Sequence, residues 1–575
     1  MQSTGARVRQ GLRFRPSWPG GATLLVLALV LVLAGIPIWS ILENAFRNGT
    51  PYAPGGFTFD HVIQFFTGSI YQAALLNTAI VALVSLVVAV PLGFLLAWLA
   101  ARTDVPGRRL MQIGNVVPYL FPTFLGAIGW AYLAQPRTGL LNVVLGFINA
   151  PNGPFDVNSQ GGIGVVMGIF LAPITYLICS GALSSMNGQL EEAGHVFGFS
   201  QAKTLFRITI PMMRPAIVAS AVLTVALSLE DFGVPQILGT PAHISVLMTQ
   251  VYAQQVYSSP SFGPSGVIAL LMLIVAALLG AYYRRSTRQS ARYATITGKA
   301  TRPTVLHLGV WRYPALIAWI VYFLISCVLP FGTLLYISLR PFPGLGLALT
   351  TANYTTVLGD PTVQRSIGNS LLYSTIGAVV AVLLGLGISV IVLRRRPTLI
   401  TRALDTIAVV PLTIPGVILG LSLVDFWSGS SLPVYGTVLM VIIIMVTRYF
   451  PLGQRTIMSS FTQLSGDLES AANVAGAPPL KAFAQITLPL IRNSLLAAFM
   501  LVWVLMFREI AAVLFVNSYG HELLSVMVLQ DWSQGQFTWA AALAMVEAVV
   551  ALLGLGLFAL LSRGLTQRNA LTGGH

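Results

Sequence analysis

Apolar runs long enough to cross a bilayer recur along this chain, separated by short polar segments. A transmembrane helix needs about 20 mostly apolar residues to cross a hydrocarbon layer about 30 Å thick, and twelve such runs can be traced. In the first half they extend from Ala22 to Ile41, Leu75 to Ala101, Leu110 to Leu133, Gly164 to Leu183, Ile217 to Ile237 and Ser265 to Tyr283. The second half continues with Pro314 to Leu339, Leu371 to Leu393, Leu404 to Phe426, Val434 to Tyr449, Leu495 to Phe515 and Trp539 to Leu561. The pattern predicts an all-α polytopic membrane protein of about 12 transmembrane helices in two parallel six-helix repeats.

Composition agrees, with 55% of the 575 residues hydrophobic and 9% charged, against about 25% charged in an average soluble protein. A net charge of +15 would suit a nucleic-acid partner, but the basic residues fall where membrane topology wants them. Arg7, Arg9, Arg13 and Arg15 precede the first run and put the amino terminus in the cytoplasm. From that start 27 of the 32 basic residues and the carboxyl terminus fall inside, Arg47, Arg137, Arg340 and Arg365 fall outside, and Arg508 lies within a run. The run from Ala22 is longer than a signal-peptide core and no small-residue cleavage site follows, so it reads as a retained helix. Cys179 and Cys327 each sit inside an apolar run, which suggests packing and neither a disulfide nor a zinc site.

An internal repeat organises the chain. Residues 190–214 read LEEAGHVFGFSQAKTLFRITIPMMR and residues 468–492 read LESAANVAGAPPLKAFAQITLPLIR, aligned without a gap at an offset of 278. A second anchor, Pro118-Tyr-Leu-Phe-Pro122 against Pro411-Leu-Thr-Ile-Pro415, has an offset of 293. The difference of 15 residues is absorbed by the outer segment Gln135 to Gly161, which shortens to Ser428 to Pro433. The expected domains are residues 1–283, a basic cytoplasmic linker 284–312 with seven basic and no acidic residues, and residues 313–575.

The repeated segment lies between the fourth and fifth runs of each half, on the cytoplasmic side. It predicts a short helix from Glu191 or Glu469, a glycine break at Gly198 or Gly476, a second short stretch, and Pro211 or Pro489 ahead of the next run. Small residues, Ala193 and Gly194 or Ala471 and Ala472, allow close packing against another protein. The segment resembles the EAA loop of binding-protein-dependent ABC importer permeases, with Ile-Thr-Ile-Pro at 208–211 and Ile-Thr-Leu-Pro at 486–489. The resemblance implies a type I importer permease in a bacterial inner membrane, working with an ABC ATPase homodimer and a periplasmic or lipid-anchored solute-binding protein. It implies ATPase coupling by Glu191, Ala193, Gly198 and Pro211, and by Glu469, Ala471, Gly476 and Pro489. Bulky residues at both glycines are expected to uncouple transport.

Nucleotide chemistry belongs elsewhere, because a phosphate-binding loop needs Gly-x-x-x-x-Gly-Lys before Ser or Thr, and none of Lys203, Lys299 and Lys481 completes one. No cofactor is expected on this chain, with ATP and Mg on the partner ATPase. The stretch Ala100 to Arg109 is similar to the second-to-third-helix loop of major-facilitator transporters but lacks its leading glycine and the basic residue after Asp104. A membrane scaffold or sensor leaves the charges inside the runs unexplained.

Those charges carry the pathway expectations, since each costs roughly 2.5 to 3.5 kcal/mol within a span. Glu230-Asp231 aligns with Arg508-Glu509 at the 278 offset, nineteen and twenty residues past the loop proline, toward the middle or outer part of the helix. Either the carboxylates line a substrate path and pass a hard cation, or Arg508 pairs with a facing carboxylate and stabilises the interface between halves. On the path reading, an amide at Asp231 or Glu509 abolishes transport. The prolines Pro118, Pro122, Pro411 and Pro415 break the third and ninth runs and point to a gate. Asp425 is expected at the outer interface, and Glu547 has no acidic partner in the sixth run. The segments around Glu230 and Arg508 are similar to those of fused ferric-iron permeases. Thiamine, polyamine and aminoethylphosphonate permeases share the architecture.

Overall fold

A computed structural model of the protein describes residues 20–50, 53–146, 153–186, 188–256, 262–287, 305–343, 346, 348–394, 398–462, 467–516 and 518–572. Arg7, Arg9, Arg13, Arg15, Lys299 and the greater part of the basic linker lie outside the described residues. Ten helices among the described residues are long and apolar enough to cross a membrane, and two bent pairs raise the number to twelve if each pair is one span. The chain is an all-α multi-span membrane fold, to which one antiparallel hairpin, Arg47–Thr50 with Ala53–Phe57, adds a small exception.

The bent pairs are the third and ninth runs. Arg108–Leu120 meets Thr123–Ala134 at 92°, and Leu399–Thr413 meets Gly416–Ser428 at 107°. Proline disfavours a helical residue before it, and Phe121 and Ile414, immediately before Pro122 and Pro415, are extended at ψ 148° and 122°.

Three predicted spans change their limits. The fifth is a helix from Gln201 to Glu230 and does not reach Ile237, because the chain turns at Asp231 and restarts as the short helix Gly233–Gly239. The eleventh runs from Leu480 to Phe507 and stops short of Phe515. The tenth occupies Val438–Phe461, so Arg448, counted above among the cytoplasmic charges, lies inside it. Polar Arg448, Gln454 and Arg455 around Pro451 end the apolar run without ending the helix.

Pro211 and Pro489 lie within these continuous helices, not ahead of them. Each follows a π-turn, Leu205–Thr209 or Phe483–Thr487, in which the amide of Ile210 or Leu488 donates five residues back to Leu205 or Phe483. A proline ring clashes with the carbonyl four residues before it. The wider turn moves that carbonyl aside, and the helix continues. The same spacing recurs at Leu324–Val328 before Pro330.

The described residues fall into two compact units. One comprises those of Leu42–Gln364 and Leu524–Ala548, the other those of Met1–Ile41, Arg365–Leu523 and Val549–His575. In the first, Ser69–Arg102 lies against Gln160–Ser185 through small residues. A Cβ at Gly164 or Gly168 would approach Val84 or Val88 to 2.6 Å, and one at Gly93 would meet the Ala172 carbonyl at 2.4 Å. Such close backbone approach is how helices gain packing where lipid supplies no hydrophobic drive. In the second unit, Gly385 does the same against the backbone of Gln454, at 2.7 Å.

Candidate functional site

Both copies of the repeated loop are built alike. A helix, Gln189–Val196 or Asp467–Val474, ends where Gly198 and Gly476 adopt φ of +76° and +87°. Phe199 and Ala477 then donate their amides back to the carbonyls of Gly194 and Ala472, at 2.9 and 3.0 Å, closing the helix end. Gly194 is buried against Ile208 of its own chain, so its small size serves internal packing.

The glutamates face inward. Glu191 is 1% exposed and Glu469 7%. Thr209 donates its hydroxyl to Glu191 at 2.6 Å, and Thr487, 278 residues on, donates to Glu469. An arginine at the end of the second span of each half, Ser69–Arg102 or Pro361–Arg394, completes each group. Arg394 reaches Glu469 at 2.6 Å, whereas Arg102 stands 3.6 Å from Glu191, close enough for charge attraction but beyond hydrogen-bond length. Arg102 also donates to the Met186 carbonyl at 2.8 Å. The carboxylates therefore tie the loop to its own spans, and the solvent-facing residues are others. Val196 is 86% exposed, Phe197 80% and Val474 91%, and Glu192, Ala193 and Ala471 are exposed beside them.

The charges expected inside the fifth and eleventh spans stand at their ends. Glu230 is the last residue of its helix, Asp231 and Arg508 cap the helix ends, and Glu509 follows. Two carboxylates perform the same task 278 residues apart. Asp231 Oδ1 accepts the Val234 amide at 3.0 Å, and Glu509 Oε1 accepts the Ala512 amide at 2.7 Å, each organising the turn that leaves the span.

Glu509 has further partners in its own half. Arg448 Nε approaches Glu509 Oε2 at 3.1 Å, and Tyr449 donates its hydroxyl to the same oxygen. Arg448 also reaches the Ile414 carbonyl at 3.4 Å, beside the bend at Pro415. One guanidinium thus joins the bent ninth span, the tenth span and the turn after the eleventh. At the 278 offset, the first half has Phe170, whose ring packs against Gly126. Sequence reasoning passed over Arg448 because it lies at the end of an apolar run, and its absence from the first repeat was the available signal.

Pro118, Pro122, Pro411 and Pro415 are all buried at the two bends. Asp425, near the end of the helix Gly416–Ser428, is buried, and Ser40 donates to it at 2.5 Å. Glu547 is fully buried and accepts from Ser525 at 2.7 Å. A third repeated contact, unforeseen in the sequence, is an asparagine near the start of the second span of each half, Ser69–Arg102 or Pro361–Arg394. Asn77 donates to the Ser245 carbonyl at 2.9 Å, and Asn369 donates to the carbonyls of Gly520 and Glu522, both at 3.1 Å. Among the described residues, no three His, Cys, Asp or Glu side chains come together as a metal-holding group.

The sequence model of the family described as binding-protein-dependent transport system inner membrane component matches residues 89–290 and, a second time, residues 377–569. The ferric transport system permease protein FbpB of Actinobacillus pleuropneumoniae is 25% identical over 541 residues, covering 92% of this chain and 76% of that protein. The Fe(3+)-transport system permease protein FbpB 2 of Haemophilus influenzae is 25% identical over 480 residues, covering 83% of this chain and 87% of that one. A crystal structure of a bacterial alginate ABC transporter with a substrate-bound periplasmic protein aligns over 40% of this chain at 20% identity, with a TM-score of 0.36.

Proposed function

The chain belongs to the family of binding-protein-dependent transport system inner membrane components, and from that premise we propose that it forms the path by which an ATP-driven importer passes ferric iron. Family membership makes it the permease, the non-catalytic part of an ABC importer that works with a solute-binding protein and separate ATPases. The ferric cargo is the finer step. It is supported by two relatives named as ferric-iron permeases, which align over 92% and 83% of the chain.

Docking of an ATPase pair on the two repeated loops is carried by one observation: each loop holds its glutamate inward and turns apolar side chains outward. Val196, Phe197 and Val474 lie in polar, cytoplasm-facing loops by the charge pattern, and burying each in a partner groove contributes about 1.5 to 3 kcal/mol. Ala193 and Ala471 keep the neighbouring surface low, and Gly198, Gly476, Pro211 and Pro489 set the loop's entry and exit. Asp231 and Glu509 act here by shaping the turn at the end of the span, with Glu230 and Arg508 beside them, and the proline bends form the movable parts of the path. Nucleotide-driven closure of the ATPases shifts the loops, and the spans alternate access between the two sides.

Co-expression with the neighbouring ATPase and binding-protein genes, followed by uptake of radiolabelled ferric ion, thiamine, putrescine or aminoethylphosphonate into vesicles, tests both steps. Ferric uptake alone is expected. Uptake of one of the others would reassign the cargo and leave the importer reading intact, whereas a permease that retains no ATPase would remove the docking reading.

A further inference from the structure

The last residues of the linker between the two halves are held against the first repeated loop. Leu306 forms a parallel bridge with Thr103: its amide donates to the Arg102 carbonyl at 2.8 Å, and its carbonyl accepts from the Asp104 amide at 3.2 Å. Asp104 then receives the Leu308 amide on Oδ1 at 2.9 Å and faces His307 Nδ1 from Oδ2 at 3.2 Å. Gln201, the first residue of the fifth span's helix, donates its side-chain amide to the His307 carbonyl at 2.5 Å. The helix Gly309–Ser338 begins directly afterwards. Four residues of linker therefore join the end of one span, the start of another just past Gly198, and the start of a third.

We propose that residues 305–308 are a cytoplasmic strap, with Asp104, Gln201 and His307 as positioning residues, that passes movement of the first coupling loop directly into the helix Gly309–Ser338. This rests on the docking reading of that loop. The peptide bonds of the strap lie beside Arg102, whose side chain faces Glu191, so the loop's inward anchor and the strap share one short stretch of backbone. A passive connector in water has no reason to pair as a strand or to bury Leu306, which is 8% exposed. The Leu308 amide also holds the Asp104 carboxyl below the usual carboxylate range, as a bond made to the charged form does. Two of the five polar contacts are backbone to backbone and fix the register, and the other three run through the Asp104 and Gln201 side chains, which is why those residues position the strap.

The test uses the full permease with its ATPase and with the binding protein as purified from cells, carrying its own ligand. In a background with Cys179→Ala and Cys327→Ala, Asp104→Ala is expected to retain ATPase on purification but to lose at least about 5-fold of binding-protein-stimulated ATP hydrolysis. Asp104→Asn, whose oxygen still accepts the Leu308 amide, is expected to stay within about 2-fold of the parent. Thr103→Cys with Leu306→Cys places thiols on paired strand residues, within reach of a disulfide. Oxidation is expected to leave the parent active and to restore stimulation to the Asp104→Ala variant. Full stimulation in Asp104→Ala without the disulfide, or loss of stimulation on oxidising the parent, would overturn the strap alone. A parent that holds no ATPase would overturn the docking reading and the strap with it.

Discussion

Asp231 and Glu509 occupy equivalent places in the repeat and accept equivalent amides, and Arg448 faces Glu509. Amide and alanine variants at the two positions separate shape from charge. An asparagine at 231 keeps an oxygen for the Val234 amide, so Asp231→Asn is expected to transport within a few-fold of wild type while Asp231→Ala fails. Glu509→Gln also keeps an oxygen for Ala512 but removes the charge facing Arg448, and breaking a buried pair in this way costs about 3 to 5 kcal/mol. Thermal unfolding of the purified permease should register that loss, and Arg448→Met combined with Glu509→Gln should recover part of it. Loss of uptake in Asp231→Asn at unchanged unfolding temperature would show that the negative charge itself is required in the path.

At the scale of the element, the repeated loop depends on a backbone conformation more than on contacts. A Cβ at Gly198 or Gly476 would meet nothing within 4 Å, so the whole penalty of substitution comes from positive φ, roughly 1 to 2 kcal/mol for an L-residue. That corresponds to a 5- to 30-fold weaker hold on the ATPase for each loop altered. The expected order of retention is Gly, then Asn, then Ala, then Val, because asparagine tolerates the left-handed region and a β-branched residue is strained there most. Asn and Val behaving alike would mean that bulk at the interface matters and backbone conformation does not. The loop's turn was legible because a glycine recurs at one place in two copies, and the bends were legible because prolines do. Helix limits were less so: hydropathy cannot foresee that a π-turn carries a helix through Pro211 and Pro489, or that Gln454 continues the tenth span by packing on Gly385. The partners of Arg448, and the strap, were illegible for a different reason. Each joins residues tens to hundreds of positions apart, and only the fold brings Asp104 to His307 or Arg448 to Glu509.

For the molecule as a whole, the side of the membrane on which each loop lies follows from how many times the chain crosses before reaching it, and the bent pairs decide that number. If both pairs cross, four crossings precede the loop at 190–214 and ten precede the loop at 468–492, both even, so the two loops share a side. If both are re-entrant, three and eight crossings precede them, and the loops face opposite sides. Only the first arrangement lets both loops meet ATPases that live in the cytoplasm, and it also agrees with basic residues concentrated on that side. Single cysteines at Ala193 and Ala471 are therefore both expected to resist a membrane-impermeant maleimide applied to intact cells and to react once the membrane is opened. A cysteine at Tyr519, 90% exposed in the turn after the eleventh span, is expected to react from outside without permeabilisation. Labelling at 193 alone in intact cells would make both bent pairs re-entrant, and labelling at 471 alone would make only the second so; either leaves the chain with a single cytoplasmic docking loop, which a paired ATPase motor cannot use symmetrically.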